Sequence, residues 1–338
     1  MEKHKRIEWV DIAKGIAIIL VVIGHVGSSY GSAGLYKDSF LLNFTNRFVY
    51  SFHMAAFMFI SGFLFKNKGN KKQQIKAILI SYGVPYIFFS GVWWGCKTVL
   101  SSLVNTKLSF WDLVLTPVFP ISFMWFIYAL MLMEIVQVIV GKLNKTKMYV
   151  HVTLAFVLLA IQPYMSSIPL FNTGYVFSDL IISDVMSNYF YFCIGVHFGN
   201  KIISVIKKHK SIYSCVWGGA VLLGVNLLSY NLNITFNIIE KVAIAFLGIA
   251  FLISLSIRID NKVLSFIGRR TLPIYVLHGI FIAATRIALG KMGLNDIYGI
   301  GPFIICTVAG VVVPLSIYEI CVKWNLDFFF TPKKFIRK

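Results

Sequence analysis

Lys14 and His25 stand eleven residues apart in a run made almost wholly of aliphatic residues. At 3.6 residues per turn this is close to three full turns, so both side chains leave one face of a helix, about 16 Å apart along its axis. Asp11, three residues before Lys14, lies on that face and can pair with it. The stripe therefore runs from an ion pair to an imidazole, and Gly15 and Gly24 allow another helix to come close. Further ionisable groups fall in other apolar runs: Arg47 and His53, Glu134, Asp184, His278 and Arg286. Such groups are costly in a membrane and mark function by default. Asp179, His197, Glu240, Lys241 and Glu319 lie near the ends of their runs, where a side chain can snorkel to water. Glu134 falls at a depth similar to Lys14, which makes an Asp11–Lys14–Glu134 cluster geometrically possible. Arg269 and Arg270 precede His278 by two to three turns and could hold a phosphorylated donor, although flanking arginines are also ordinary in membrane proteins. A neutral imidazole works as a general base near pH 7 and can carry an acyl group transiently. The sequence has no serine nucleophile elbow, no metal-ligand spacing and no glycine-rich phosphate loop, so no metal is expected. The groups fit acyl transfer from an activated donor to a hydroxyl better than hydrolysis or phosphoryl transfer. On charges alone, a proton-coupled transporter fits nearly as well.

The elements that must position these groups are membrane helices. The chain has 338 residues, 58% hydrophobic and 13% charged, where soluble domains carry about 25% charged residues. Its mean hydropathy is +0.77. A span needs roughly 20 apolar residues, and the pattern predicts spans near 9–27, 42–65, 77–100, 121–141, 148–168, 179–199, 212–229, 239–257, 272–290 and 300–323. With the N-terminus in the cytoplasm, the inner segments hold 24 of the 32 Lys and Arg residues, as the positive-inside rule requires. The net charge of +19 then needs no nucleic acid to explain it. The expected fold is all-α: a polytopic membrane protein of about ten transmembrane helices, both termini cytoplasmic. It is read as one transmembrane domain over 1–338 with no attached soluble domain. The N-terminus has signal-peptide features (Lys3, Lys5 and Arg6 before an apolar run), but that run is too long and carries Asp11 and Lys14, so it is read as a retained first helix. The five cysteines are scattered and read as packing residues.

Four segments, in order, resemble the membrane acyltransferase-3 family, and most closely its fucose 4-O-acetylase-like branch. They are WVDIAKGIAIILVVIGHV (Trp9 to Val26), SFHMAAFMFISGFLF (Ser51 to Phe65), MWFIYALMLMEI (Met124 to Ile135) and GRRTLPIYVLH (Gly268 to His278). The family opens with Arg, ten residues and His; here the pair is Lys14 and His25, which keeps the charge and loses the bidentate fork. The resemblance implies an acyltransferase that moves acetyl from cytoplasmic acetyl-CoA to a hydroxyl of an exported or cell-surface glycan, with no metal. In that reading His25 is general base or transient acyl acceptor. Lys14, held by Asp11, positions the donor or the developing negative charge. Arg47 and His53 orient the acceptor, Tyr275 and His278 line the donor side, Glu134 is an orienting partner, and Arg269 and Arg270 hold the donor's phosphates. The expected partners are the lipid bilayer, acyl-CoA and a glycan acceptor, and the expected location is a bacterial plasma membrane. The rivals are a transporter of glycan units and a scaffolding subunit that would tolerate loss of both Lys14 and His25.

Overall fold

A computed structural model describes residues 7–35, 39–67, 69–99, 108–170, 175–209, 211–294 and 300–332. In chain order the helices are α1 (Glu8–Ser32), α2 (Phe40–Tyr50), α3 (His53–Leu64), α4 (Lys71–Ile78), α5 (Val84–Val99), α6 (Phe110–Val114), α7 (Trp125–Val140), α8 (Lys145–Met165), α9 (Ile181–Lys208), α10 (Ile212–Asn231), α11 (Ile238–Arg258), α12 (Lys262–Gly268), α13 (Thr271–Lys291) and α14 (Ile300–Lys323). Among the described residues, ten helical stretches are long and apolar enough to cross a membrane, with α2–α3 and α4–α5 each counting as one. Every predicted span is present; most ends shift by a few residues, and the sixth runs on to Lys208, nine residues past its predicted end. Helix starts follow local chemistry. Ser39, Asn70, Ser109, Asn144, Ser211, Asn237 and Asn261 each accept a bond from an otherwise orphaned backbone N–H, and Asn237 with Glu240 forms a reciprocal capping box.

Three features depart from a plain series of rods. The second span is interrupted at Ser51–Phe52, where Phe52 N–H bonds Val49 three residues back rather than four. The third span contains a widened turn at Leu79–Gly83, two residues before Pro85, which has no N–H to give to the carbonyl four residues earlier. The segment 258–271, read from sequence as an inner loop, contains α12. With only seven residues, that helix is too short to register as a span.

The chain divides into two compact units. The first comprises Met1–Phe57 and Asn200–Glu319 and is built around α1, which lies against α2, α11, α12 and α13. The approach of α12 is backbone to backbone: a β-carbon at Gly15 would overlap the Leu264 carbonyl, and one at Gly268 would overlap that of Asp11. Glycine is therefore required on both helices. Phe52, Leu222 and Ile244 form a buried core with Leu20, Phe48, Leu247 and Phe251 around them.

The second unit comprises Met58–Gly199 and Ile320–Lys338. Gly62 on α3 and Gly195 on α9 face the backbone of the opposite helix, at Phe192 and Phe59 respectively, the small-residue contact that lets membrane helices meet closely. Ile78, Met131 and Val138 make its core together with Phe65, Tyr82, Tyr128 and Ile135. The turn after α14 returns to α5, stacking Phe329 on Phe88 with centroids 3.7 Å apart.

Candidate active site

Three of the histidines singled out from the sequence meet in the first unit. His25 comes from α1, His53 from the start of α3 and His278 from α13. The rings of His25 and His278 lie 5.0 Å apart, centroid to centroid, tilted by 47°. A residue the sequence reading passed over joins them: Tyr50, the last residue of α2. Its ring meets His25 edge-on at 6.4 Å and His53 edge-on at 5.0 Å. Gly24 makes room for it, since a β-carbon there would stand 3.2 Å from the Tyr50 ring. The next glycine on that face, Gly27, receives the Asn46 side chain where a β-carbon would be. Nothing in the local sequence sets Tyr50 apart from the other aromatic residues of α2.

Backbone carbonyls fix the protonation of two of these rings. His53 Nδ1 lies 2.7 Å from the Val49 carbonyl oxygen. His278 Nδ1 lies 2.7 Å from the Tyr275 oxygen and 3.0 Å from that of Ile274. A carbonyl only accepts, so each Nδ1 carries the hydrogen and each Nε2 carries the lone pair. His53 is 2% exposed and His278 is fully buried, so neither ring can turn over in open water. The interruption in the second span contributes here. It releases carbonyls at the end of α2, which the Ser51 hydroxyl (to Phe48, 2.7 Å) and His53 take up. Broken helices persist at membrane depth where side chains satisfy the freed backbone in this way.

The predicted spans 272–290 and 9–27, counted from a cytoplasmic N-terminus, put His278 about 9 Å inside the inner end of its span and His25 near the outer end of its own. The structure brings them together, and α12 is the reason. Because Gly268 abuts Asp11 and Gly15, α13 starts level with the Asp11–Gly15 turn of α1 rather than with Glu8. His278 is then seven residues beyond Thr271, about 10 Å by helical rise, and His25 ten residues beyond Gly15, about 15 Å.

The other predicted residues separate into groups. Asp11 is buried and Lys14 half-buried, one helical stripe away from the imidazoles and beside α12. Tyr275 is buried on α13, its ring 6.4 Å from that of His278. Arg269 is exposed. Arg270 is engaged within the fold: it is ion-paired with Glu319 and stacked on Phe266, 3.8 Å from the ring centroid. Arg47 donates to the Ile234 carbonyl and lies over Phe236, which ties α2 to the turn before α11. Arg286 donates to the Ser29 hydroxyl at 3.0 Å. Glu134 belongs to the second unit, where it accepts a 2.7 Å bond from Tyr82 in the widened turn.

A second histidine cluster lies in the second unit. His151 on α8 places Nε2 2.9 Å from the Tyr189 hydroxyl and Nδ1 3.3 Å from His197 Nε2, with Cys193 Sγ 3.9 Å from Nε2. Tyr189, Cys193 and His197 recur every four residues along one face of α9. That four-residue spacing is the signal by which the sequence itself marks the cluster.

Comparison with known proteins follows the same lines. No solved structure gives a significant match. Two curated relatives do match by sequence, both called nodulation protein NolL. The one from Mesorhizobium japonicum is 28% identical over 185 residues, 51% of this chain and 48% of its own. The one from Sinorhizobium fredii is 25% identical over 237 residues, 63% of this chain and 55% of its own. The chain thus spans about half the length of the curated relatives it matches. The acyltransferase domain of the acyltransferase-3 family matches residues 7–319, a stretch that holds Asp11, Lys14, all three clustered histidines and Tyr50, and the chain belongs to that family.

Proposed function

We propose that this protein is a membrane O-acetyltransferase, moving acetyl from acetyl-CoA to a hydroxyl of a cell-surface or exported glycan, in the manner of the fucose 4-O-acetylase-like branch. The observation that carries the reading is the meeting of His25, His53 and His278, from three separated parts of the chain, with two Nε2 lone pairs fixed by backbone bonds. A hydroxyl must lose its proton to attack a thioester, and an imidazole lone pair held in place is suited to take it.

Acyl-CoA carries its reactive thioester at the end of a long arm, far from its phosphates. The first unit offers a measure of that separation: along α1, Lys14 lies about 16 Å from His25. In this reading the donor's charged end lies at Lys14 and Arg269, since Arg270 already serves Glu319 and Phe266. The thioester reaches the imidazoles. His25 is general base or transient acyl carrier, His278 supports it from the neighbouring helix, and His53 faces the acceptor. In this reading the donor side faces the cytoplasm and the membrane is a bacterial plasma membrane, a placement that the basic inner segments support.

The test is transfer of label from radioactive acetyl-CoA to crude glycan by the purified protein in vesicles. His25→Ala should lower transfer by about 10²- to 10⁴-fold, the range typical of a lost general base. Transfer that survives the substitution would move the chemistry off His25. Absence of acetyl-CoA turnover by folded wild type, with acceptor present, would favour a transporter instead.

A further inference from the structure

The acetyl-transfer reading names no surface on which the acceptor sugar rests, and the interruption of the second span offers one. Tyr50 ends α2 and His53 begins α3, so the break sets a phenol and an imidazole side by side at 5.0 Å. While His53 and His278 are enclosed, Tyr50 is 47% exposed, which makes it the side of the cluster that another molecule can reach. Its hydroxyl lies 3.2 Å from the Ser28 hydroxyl, and Ser28 is itself exposed. An apolar ring with a pair of hydroxyls at its tip is the complement of a sugar. The ring covers the C–H face of a pyranose, and the hydroxyls exchange hydrogen bonds with the sugar's own.

We infer that Tyr50, with Ser28, is the seat of the glycan acceptor, so that a sugar lying on the Tyr50 ring presents one hydroxyl to the imidazole of His25, the partly exposed histidine of the cluster. This rests on the acetyl-transfer reading and adds the residue that selects the acceptor. Tyr50 takes no proton in the reaction: the acceptor O–H gives its proton to an imidazole, the acceptor oxygen bonds to the acetyl carbon, and the thiolate leaves. Arg47, pinned to Ile234 and Phe236, holds the α2 end of the seat in place.

The experiment uses the full-length protein with Tyr50→Ala, Tyr50→Phe and Ser28→Ala. Donor handling is read as the thermal shift of purified protein on adding acetyl-CoA, which also reports folding. Acceptor handling is read as alkali-released acetate from the glycans of cells carrying each variant. Tyr50→Ala should keep the acetyl-CoA shift and lose glycan acetate by about tenfold or more, the scale of one lost aromatic contact. Tyr50→Phe should retain most of the acetate, and Ser28→Ala should fall between them. Acetate within twofold of wild type in Tyr50→Ala would overturn the inference. So would a Tyr50→Phe variant as defective as Tyr50→Ala, which would put the hydroxyl rather than the ring at the centre, or a Tyr50→Ala variant that also loses the donor shift. Wild type that neither binds acetyl-CoA nor acetylates glycan would refute the enzyme reading itself, apart from any result at Tyr50.

Discussion

The two units hold two clusters made of nearly the same residues. In the first, His25 and His53 meet Tyr50 and His278 meets His25; in the second, His151 meets both Tyr189 and His197. What differs is where the ring nitrogens are spent. His53 and His278 give Nδ1 to the backbone and keep an Nε2 lone pair directed by the fold. His151 spends both nitrogens on side chains of α9, which makes it a clasp between two helices. Residue type marks a place where chemistry is possible, and the hydrogen bonds behind the ring decide whether it is available. This is the reasoning applied to histidine ligands, whose second nitrogen sets the role of the first.

The comparison breaks most plainly at the two histidine sites. On the proposed acetyl-transfer reading, His278→Ala should cut transfer by about a hundredfold, within the range for a displaced acid–base group, with glycan labelling as the measure. His151→Phe in the same assay should stay within about twofold; equal losses at both sites would mean the clusters do not differ in kind. Next in size is Gly268→Ala. Its methyl would meet the Asp11 carbonyl, and overpacking of this kind costs about 1–3 kcal/mol, visible as a lower melting temperature in detergent. A melting point equal to wild type would show that α12 can yield. His151→Phe should cost stability by about 1 kcal/mol, the worth of the hydrogen bonds it removes, as a small fall in the same melting curve. The smallest effect belongs to Gly24→Ala. A methyl there stands 3.2 Å from the Tyr50 ring and should tilt it, at about 0.5–1.5 kcal/mol for an off-rotamer side chain. Glycan acetylation should drop a few-fold while acetyl-CoA binding holds.

Much of this was open to reading in the sequence, for a physical reason: hydropathy and charge asymmetry act over whole spans, and all ten spans were placed from them. His25, His53 and His278 stood out because an imidazole in an aliphatic run is costly to keep. Their convergence did not stand out. It depends on α12, whose four apolar residues Val263, Leu264, Phe266 and Ile267 are too few to register as a span. It depends also on a glycine-to-backbone contact that no side-chain pattern announces. Tyr50 was lost among aromatic neighbours, since its role comes from the break that follows it. Arg270 had the right charge for a donor site, and only the fold reveals that Glu319 takes it.

The first unit is assembled from an early stretch and a late stretch of the chain, with most of the second unit between them in sequence, and this has a consequence in time. His53 is synthesised about 225 residues before His278. At 5–20 residues per second the first two spans wait about 10 to 45 s in the bilayer before α12 and α13 arrive. During that interval the backbone surface at Gly15 and the ring of His25 have no permanent neighbour from α12 or α13. The order of synthesis thus makes the earliest helices the last to be completed, and a nascent chain halted before α12 would hold His25 and His53 without the third imidazole.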